Sequence, residues 1–161
     1  MKKHMCRLKL ISLSLLVLFV VLSCNGKTNK EEVKSDYDYI KDYFKTKHNF
    51  EITEQINMVV VITANGCPQC NKGFICFAVS NLNRENSVIL VTDDGKALDI
   101  SSLRSLEGNV FFDDTICESD DRELFLNSSV IFLNEKDIDT IIKIDSHSIN
   151  EQFSFILSKQ L

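Results

Sequence analysis

The sequence has one proline, Pro68, no tryptophan and only five glycines in 161 residues. So little proline and glycine excludes collagen-like and low-complexity chains, and leaves few points where the backbone is forced to turn. No segment recurs at a fixed period, which excludes solenoids and propellers. Positive charge is short as well: 18 Lys and Arg stand against 23 Asp and Glu, for a net charge of −5. Four of the basic residues, Lys2, Lys3, Arg7 and Lys9, sit at the very start, so the remainder falls to −9. No basic cluster survives there to neutralise a phosphate backbone, which argues against a nucleic-acid partner. Any run of the roughly 20 apolar residues that cross a bilayer is lacking too; residues 10–22 hold about a dozen, interrupted by Ser12 and Ser14.

What is present begins with that basic start, followed by the short apolar run and a polar stretch from Asn25. This is the pattern of a secretory signal that is cleaved. Val21-Leu22-Ser23-Cys24 resembles the lipobox of bacterial lipoproteins. The resemblance implies that residues 1–23 are a signal peptide, that Cys24 becomes the lipid-bearing first residue, and that 24–30 is a tether before a single domain at 31–161. Acyl chains contribute about 0.8 kcal/mol per buried methylene, so the expected membrane contact is a lipid anchor in the bacterial cell envelope, periplasm-facing or at the surface, at the outer membrane. An ordinary secretory signal or an uncleaved anchor is the alternative.

Along the mature chain, Val33, Tyr37, Ile40 and Phe44 recur at spacings of four, three and four, which predicts an amphipathic helix over 30–48. Residues 57–63 form an unbroken, largely β-branched run, as expected of a strand covered on both faces. Pro68 fits the first turn of a helix, and Cys70, Phe74 and Phe77/Ala78 mark its buried side to about residues 81–83. A second apolar strand is expected at 87–92, closed by a turn at 93–96. One or two helical turns follow at 101–106, a short strand at 109–113, and a loop or marginal helix at 113–123. Residues 129–133 and 139–144 read as a hairpin turning at 134–137, and a closing helix starts from Ser148, an N-cap residue type. Helical crossovers in the first half and a tight turn in the second predict an α/β fold, a mixed sheet flanked by helices.

Of six cysteines, Cys6 leaves with the signal and Cys24 is consumed by lipid, so Cys67, Cys70, Cys76 and Cys117 remain. An oxidising compartment permits all four to pair. Cys67-Pro68-Gln69-Cys70 opens a helix straight after a buried strand. That spacing lets two sulfurs close a small ring, while free N–H groups and the helix dipole favour thiolate at the first. Cys67, at the edge, reads as the attacking nucleophile and Cys70, one turn in, as the resolving thiol. An inert disulfide stapling the helix start is the bland reading. Zinc would need four ligands in tetrahedral reach, and the spacing of Cys76, Cys117 and His147 does not ask for it, so neither metal nor other cofactor is expected. Cys76, six residues past Cys70, has three readings: a disulfide with Cys117, a separate thiol, or a relay to the first pair. His48 and His147 are isolated and read as surface or capping residues; Tyr37, Tyr39, Tyr43 and Phe44 read as helix packing.

The strand, the Ala64-Asn65-Gly66 turn, the CPQC motif and the apolar helix after it are similar to the thioredoxin superfamily, specifically to envelope thioredoxin-like proteins related to TlpA and ResA that occur as lipoproteins in Bacteroidetes. The resemblance spans about 57–161, with the 30–48 helix as an N-terminal addition. It implies a thiol-disulfide oxidoreductase acting on exported cysteine-containing proteins, served by an envelope redox partner, with Pro68 and Gln69 tuning the potential. A redox-inert thioredoxin-like binding or structural lipoprotein is the alternative. One departure stands out. Where the family has a cis-proline facing the dithiol, this chain has Ser128 and Ser129, and because a non-proline cis bond costs about 2.5 to 4 kcal/mol, the Asn127–Ser128 bond is expected trans. No residue offers itself as a general base.

Overall fold

The computed structural model of the chain describes residues 34–92, 97–115 and 123–160. The leader segment, Cys24, the 93–96 turn and Cys117 lie outside the described residues, as does the beginning of the helix expected from residue 30.

Helix α1 spans Asp36–His48. Residues 34 and 35 are not helical, because Ser35 acts as the N-cap: its hydroxyl accepts from the Asp38 N–H at 3.1 Å, satisfying a donor that a helix start leaves free. At the other end Asn49 takes a left-handed conformation, φ 51°, and the Phe50 N–H returns to the Phe44 carbonyl at 3.1 Å. Asparagine tolerates that conformation better than most residues. Tyr37, Ile40, Tyr43 and Phe44 are buried, the face that the spacing predicts.

Five strands form one mixed sheet. Strand β1 (Met58–Ile62) pairs in parallel with β2 (Ser87–Val91), and β2 in parallel with β3 (Val110–Phe112). On its other edge β1 pairs antiparallel with β4 (Ser129–Asn134), which turns back into β5 (Asp137–Lys143). The order across the sheet is β3-β2-β1-β4-β5. The hairpin closes through Glu135 and Lys136, with Glu135 at φ 54°. Helix α2 (Pro68–Asn81) connects β1 to β2, the single turn α3 (Ser101–Arg104) precedes β3, and α4 (Ile149–Ser158) closes the described chain. No described helix is long and apolar enough to cross a membrane.

Both β1 and β2 are buried at every position, for a reason that alternation of strand side chains makes plain. Met58, Val60 and Ile62 join a core with Phe74 and Ala78 of α2, Leu103 of α3 and Ile156 of α4. Val59 and Val61 join a second core on the opposite face with Ile40 and Phe44 of α1 and with Phe125. With α1 on one face and α2 to α4 on the other, the strands need no polar side. Edge strand β5 instead alternates between exposed and half-buried positions. Phe153 of α4 stacks on Phe77 of α2, ring centroids 4.2 Å apart, which fixes the two helices against each other.

One expectation holds in part and one is corrected. Ser148 occupies the N-cap position of α4 but makes no capping bond with its side chain. Asp145 braces the bend before the helix: its Oδ1 accepts from the N–H groups of His147 at 2.8 Å and Ser148 at 3.1 Å, while the Gln152 amide reaches back to its Oδ2 at 2.9 Å. These bonds hold the Asp145 carboxyl below the usual range. His48 is not an isolated surface residue. Its ring packs 4.8 Å from that of Phe111 and 5.7 Å from that of Tyr43, and burial, opposed by the nearby Asp113, lowers its pKa.

Asp113, just past β3, is the one charged side chain among the described buried residues. Its Oδ2 accepts from the Tyr43 hydroxyl at 2.7 Å, and its Oδ1 from the Thr115 N–H at 2.8 Å, which ties α1 to the end of the sheet. Burial raises this carboxyl's pKa, but the bonds from Thr115 and Tyr43, with Lys47 nearby, outweigh it and leave the group lowered. A folded-state pKa below the unfolded one means that the ionised group adds stability above the ordinary aspartate range and loses it as pH falls through the lowered value. Urea melts from neutral pH to about pH 3, spanning the ordinary aspartate value, are expected to show the advantage of the natural protein over Asp113→Asn shrinking toward acid. A gap that stays constant with pH contradicts this. Phe44→Ala, at a fully buried position, is expected to cost about 3–5 kcal/mol in the same melts; a loss below about 1 kcal/mol would mean that α1 is not packed as described.

Candidate functional site

Strands β1, β2 and β3 are parallel, so Ile62, Val91 and Phe112 end along one edge of the sheet. Strand β4 runs the other way and begins at that edge, with Ser129 opposite Val61. Topology therefore brings the segment after β1, residues 63–67, beside the segment before β4, residues 126–128. Loops at the carboxyl ends of parallel strands are where α/β proteins most often build sites.

The turn into the cysteine motif passes through Gly66 at φ 95°, in a region that side chains other than hydrogen rarely enter. Cys67 follows in extended conformation as the N-cap of α2, and Pro68 takes the first helical turn. The Cys67 sulfur accepts from the Cys70 N–H at 3.3 Å. It thus occupies the place that a serine or aspartate oxygen takes in an ordinary cap. Cys67 and Cys70 are joined as a disulfide, with Cα atoms 5.2 Å apart. Pro68 and Gln69 are exposed and Cys67 is half-buried, whereas Cys70 is only 5% exposed, beneath the helix. The partial positive charge at a helix start stabilises thiolate at the outer sulfur when the bond is open.

Behind the motif lies a buried polar network that sequence reasoning missed. The Thr63 N–H donates to Ser128 Oγ at 3.1 Å. Ser128 in turn donates to Asn71 Oδ1 at 2.8 Å. Asn71 Nδ2 donates to the Asn65 carbonyl at 3.1 Å, and Asn65 Nδ2 to the Leu126 carbonyl at 3.0 Å. Thr63, Asn71 and Ser128 are each 3% exposed or less. A signal for Asn71 did exist: it stands three, four and seven residues before Phe74, Ile75 and Ala78, an amide inside an apolar helical stripe.

Ser128 and Ser129, which stand where the family has its cis-proline, part to opposite faces of the sheet. Ser128 points its hydroxyl to α2, whereas Ser129 shares strand parity with Ile131 and Leu133, which face α1. No cis peptide bond occurs among the described residues, so Asn127–Ser128 is trans as expected. Among the described residues the buried groups beneath α2 are neutral; Asp113 bonds to α1, on the other face of the sheet. Cys76 is exposed on α2 with a free thiol; Cys117, the partner expected for it, lies outside the described residues. His147 is exposed. Among the described residues no three His, Cys, Asp or Glu side chains converge as a metal site would require.

The arrangement can pass two electrons between a disulfide and a dithiol. Comparison with known proteins gives no match: no family model, curated protein or solved structure corresponds to the chain. Alkylation tests the geometry directly. A short iodoacetamide pulse on the oxidised protein is expected to label Cys76 while sparing Cys67 and Cys70. After reduction Cys67 should react at least tenfold faster than Cys70, about the factor expected where one thiolate is stabilised and the other buried. Equal rates, read by peptide mass mapping, would refute the asymmetry.

Proposed function

We propose that this chain is a lipid-anchored thiol-disulfide oxidoreductase of thioredoxin-like fold, exchanging disulfides with exported cysteine-containing proteins in the bacterial cell envelope. One observation supports it above the others: the Cys67 sulfur caps α2, accepts from the Cys70 N–H at 3.3 Å, and has its partner sulfur buried one turn behind. A mixed five-stranded sheet with helices on both faces is compatible with the thioredoxin-like fold that the motif suggests.

In the reducing direction Cys67, having released its proton to solvent, attacks one sulfur of a client disulfide. The client S–S bond breaks, a Cys67–client disulfide forms, and the departing client thiolate takes up a proton. Cys70 then loses its proton and attacks Cys67. The mixed bond breaks, the Cys67–Cys70 bond forms, and the second client thiolate is protonated. Two electrons pass to the client, and a dithiol partner in the envelope returns them to the pair. In the opposite direction the same bonds form and break in reverse order. Among the described residues no charged group is buried beneath α2, so solvent takes the proton while the N–H groups at the helix start stabilise the thiolate.

Titration of the folded protein in glutathione buffers is the deciding measurement. The Cys67–Cys70 bond is expected to open and close reversibly, and Cys70→Ala to accumulate mixed disulfides that Cys67→Ser does not form. A bond that never exchanges while the fold persists, or a reduced Cys67 that titrates near 8.5 like an ordinary thiol, overturns the enzyme reading. The pair would then be a staple in a redox-inert binding lipoprotein.

A further inference from the structure

We propose that Ser128 is a positioning residue for the dithiol, setting through its hydroxyl how readily the Cys67–Cys70 disulfide forms; this rests on the disulfide-exchange reading above. The loop that holds both cysteines leaves β1 at Thr63 and is inside α2 by Asn71. Ser128 bonds to both ends of it: its Oγ accepts from the Thr63 N–H at 3.1 Å and donates to Asn71 Oδ1 at 2.8 Å. Its own position is fixed independently, since its carbonyl accepts from the Ile144 N–H of the chain leaving β5 at 2.8 Å. Inside the loop, Asn71 ties itself to Asn65 by its side chain and to the Cys67 carbonyl by its N–H at 3.0 Å. One hydroxyl, 3% exposed, therefore closes a ring through the end of β1, the first turn of α2 and the start of β4.

The two redox states need this clamp unequally. In the disulfide form the covalent bond already restrains Cys67 against Cys70, so the hydroxyl is partly redundant. In the dithiol form only the hydrogen bonds keep the sulfurs within reach of each other. Removing the hydroxyl frees the loop mainly in the reduced state and lowers the effective concentration of one thiol for the other. It also leaves Asn71 Oδ1 and the Thr63 N–H buried without this partner. Both effects make the dithiol form looser and the disulfide harder to close. The neutral network changes no charge near Cys67, so the ionisation of that thiol should move little.

The test equilibrates the full-length protein and Ser128→Ala with glutathione redox buffers, with Ser128→Thr as the variant that keeps a hydroxyl. Ser128→Ala is expected to lower the equilibrium constant for disulfide formation about three- to tenfold, the size of one net hydrogen bond, with the Cys67 titration unchanged and Ser128→Thr restoring the natural value. An unchanged constant in a folded Ser128→Ala protein, with both redox forms losing stability equally, would make Ser128 merely structural and overturn the proposal. Should Ser128→Ala not fold, hydrogen exchange of the Thr63 amide in the natural protein decides instead. Protection that persists after reduction by a phosphine supports the clamp, and free exchange in the dithiol form refutes it. A natural protein whose bond never equilibrates with glutathione overturns the oxidoreductase reading, and the amide exchange of the phosphine-reduced form still judges the clamp.

Discussion

Strand β1 is hydrogen-bonded along both edges and covered on both faces, and β4 runs antiparallel beside it with Ser129 opposite Val61. Nearly everything of interest in this protein depends on that pairing. A parallel neighbour would place its carboxyl end beside the cysteine turn; the antiparallel one delivers its beginning, and with it Ser128. Register is enforced by burial, because a slip of one residue would send Val130 and Phe132 to the α1 face and reverse both cores.

The consequence is a site whose interior is polar yet uncharged. A buried hydroxyl or amide is tolerated only when it is hydrogen-bonded, and it becomes costly when one partner is lost. Ser128 bonds the Thr63 N–H and Asn71, and Asn71 bonds the carbonyl of the exposed Asn65, whose amide reaches the Leu126 carbonyl, in a chain that links three segments of backbone. Such a chain adds little net stability relative to water but fixes geometry. The dithiol is thus held by directional bonds, while activation of its outer sulfur comes from the helix start and the Cys70 N–H. Among the described residues no buried carboxylate lies on the α2 side of the sheet.

The other face of the sheet is organised differently. Helix α1 packs through aromatic rings, and its last turns, His48 included, meet Phe111 of β3 and Asp113 just past it. Its one buried charge among the described residues, Asp113, is bonded by Tyr43 and Thr115. The two faces share β1 and β2 as common walls, so packing of α1 from one side supports the strand that presents the cysteines on the other.

The elements themselves were legible in the sequence because they follow local rules. Unbroken apolar runs gave β1 and β2, the 3.6-residue period gave α1 and α2, and the turn at residues 134–137 gave the hairpin. Pro68 after Cys67 marked the start of α2, since proline is at ease only where no helical N–H is needed. Capping was read in part: Ser148 takes the N-cap position without a side-chain capping bond, and Asp145 braces the bend before it, a shape that no pattern of residue types reveals. Tertiary structure alone decided that Ser128 and Ser129 part to opposite faces, that Asn71 joins Ser128, and that His48 packs among aromatic rings. Those facts depend on which segments meet across the sheet, 57 residues apart in the chain for Asn71 and Ser128, and strand pairing is a global minimum that no local window contains.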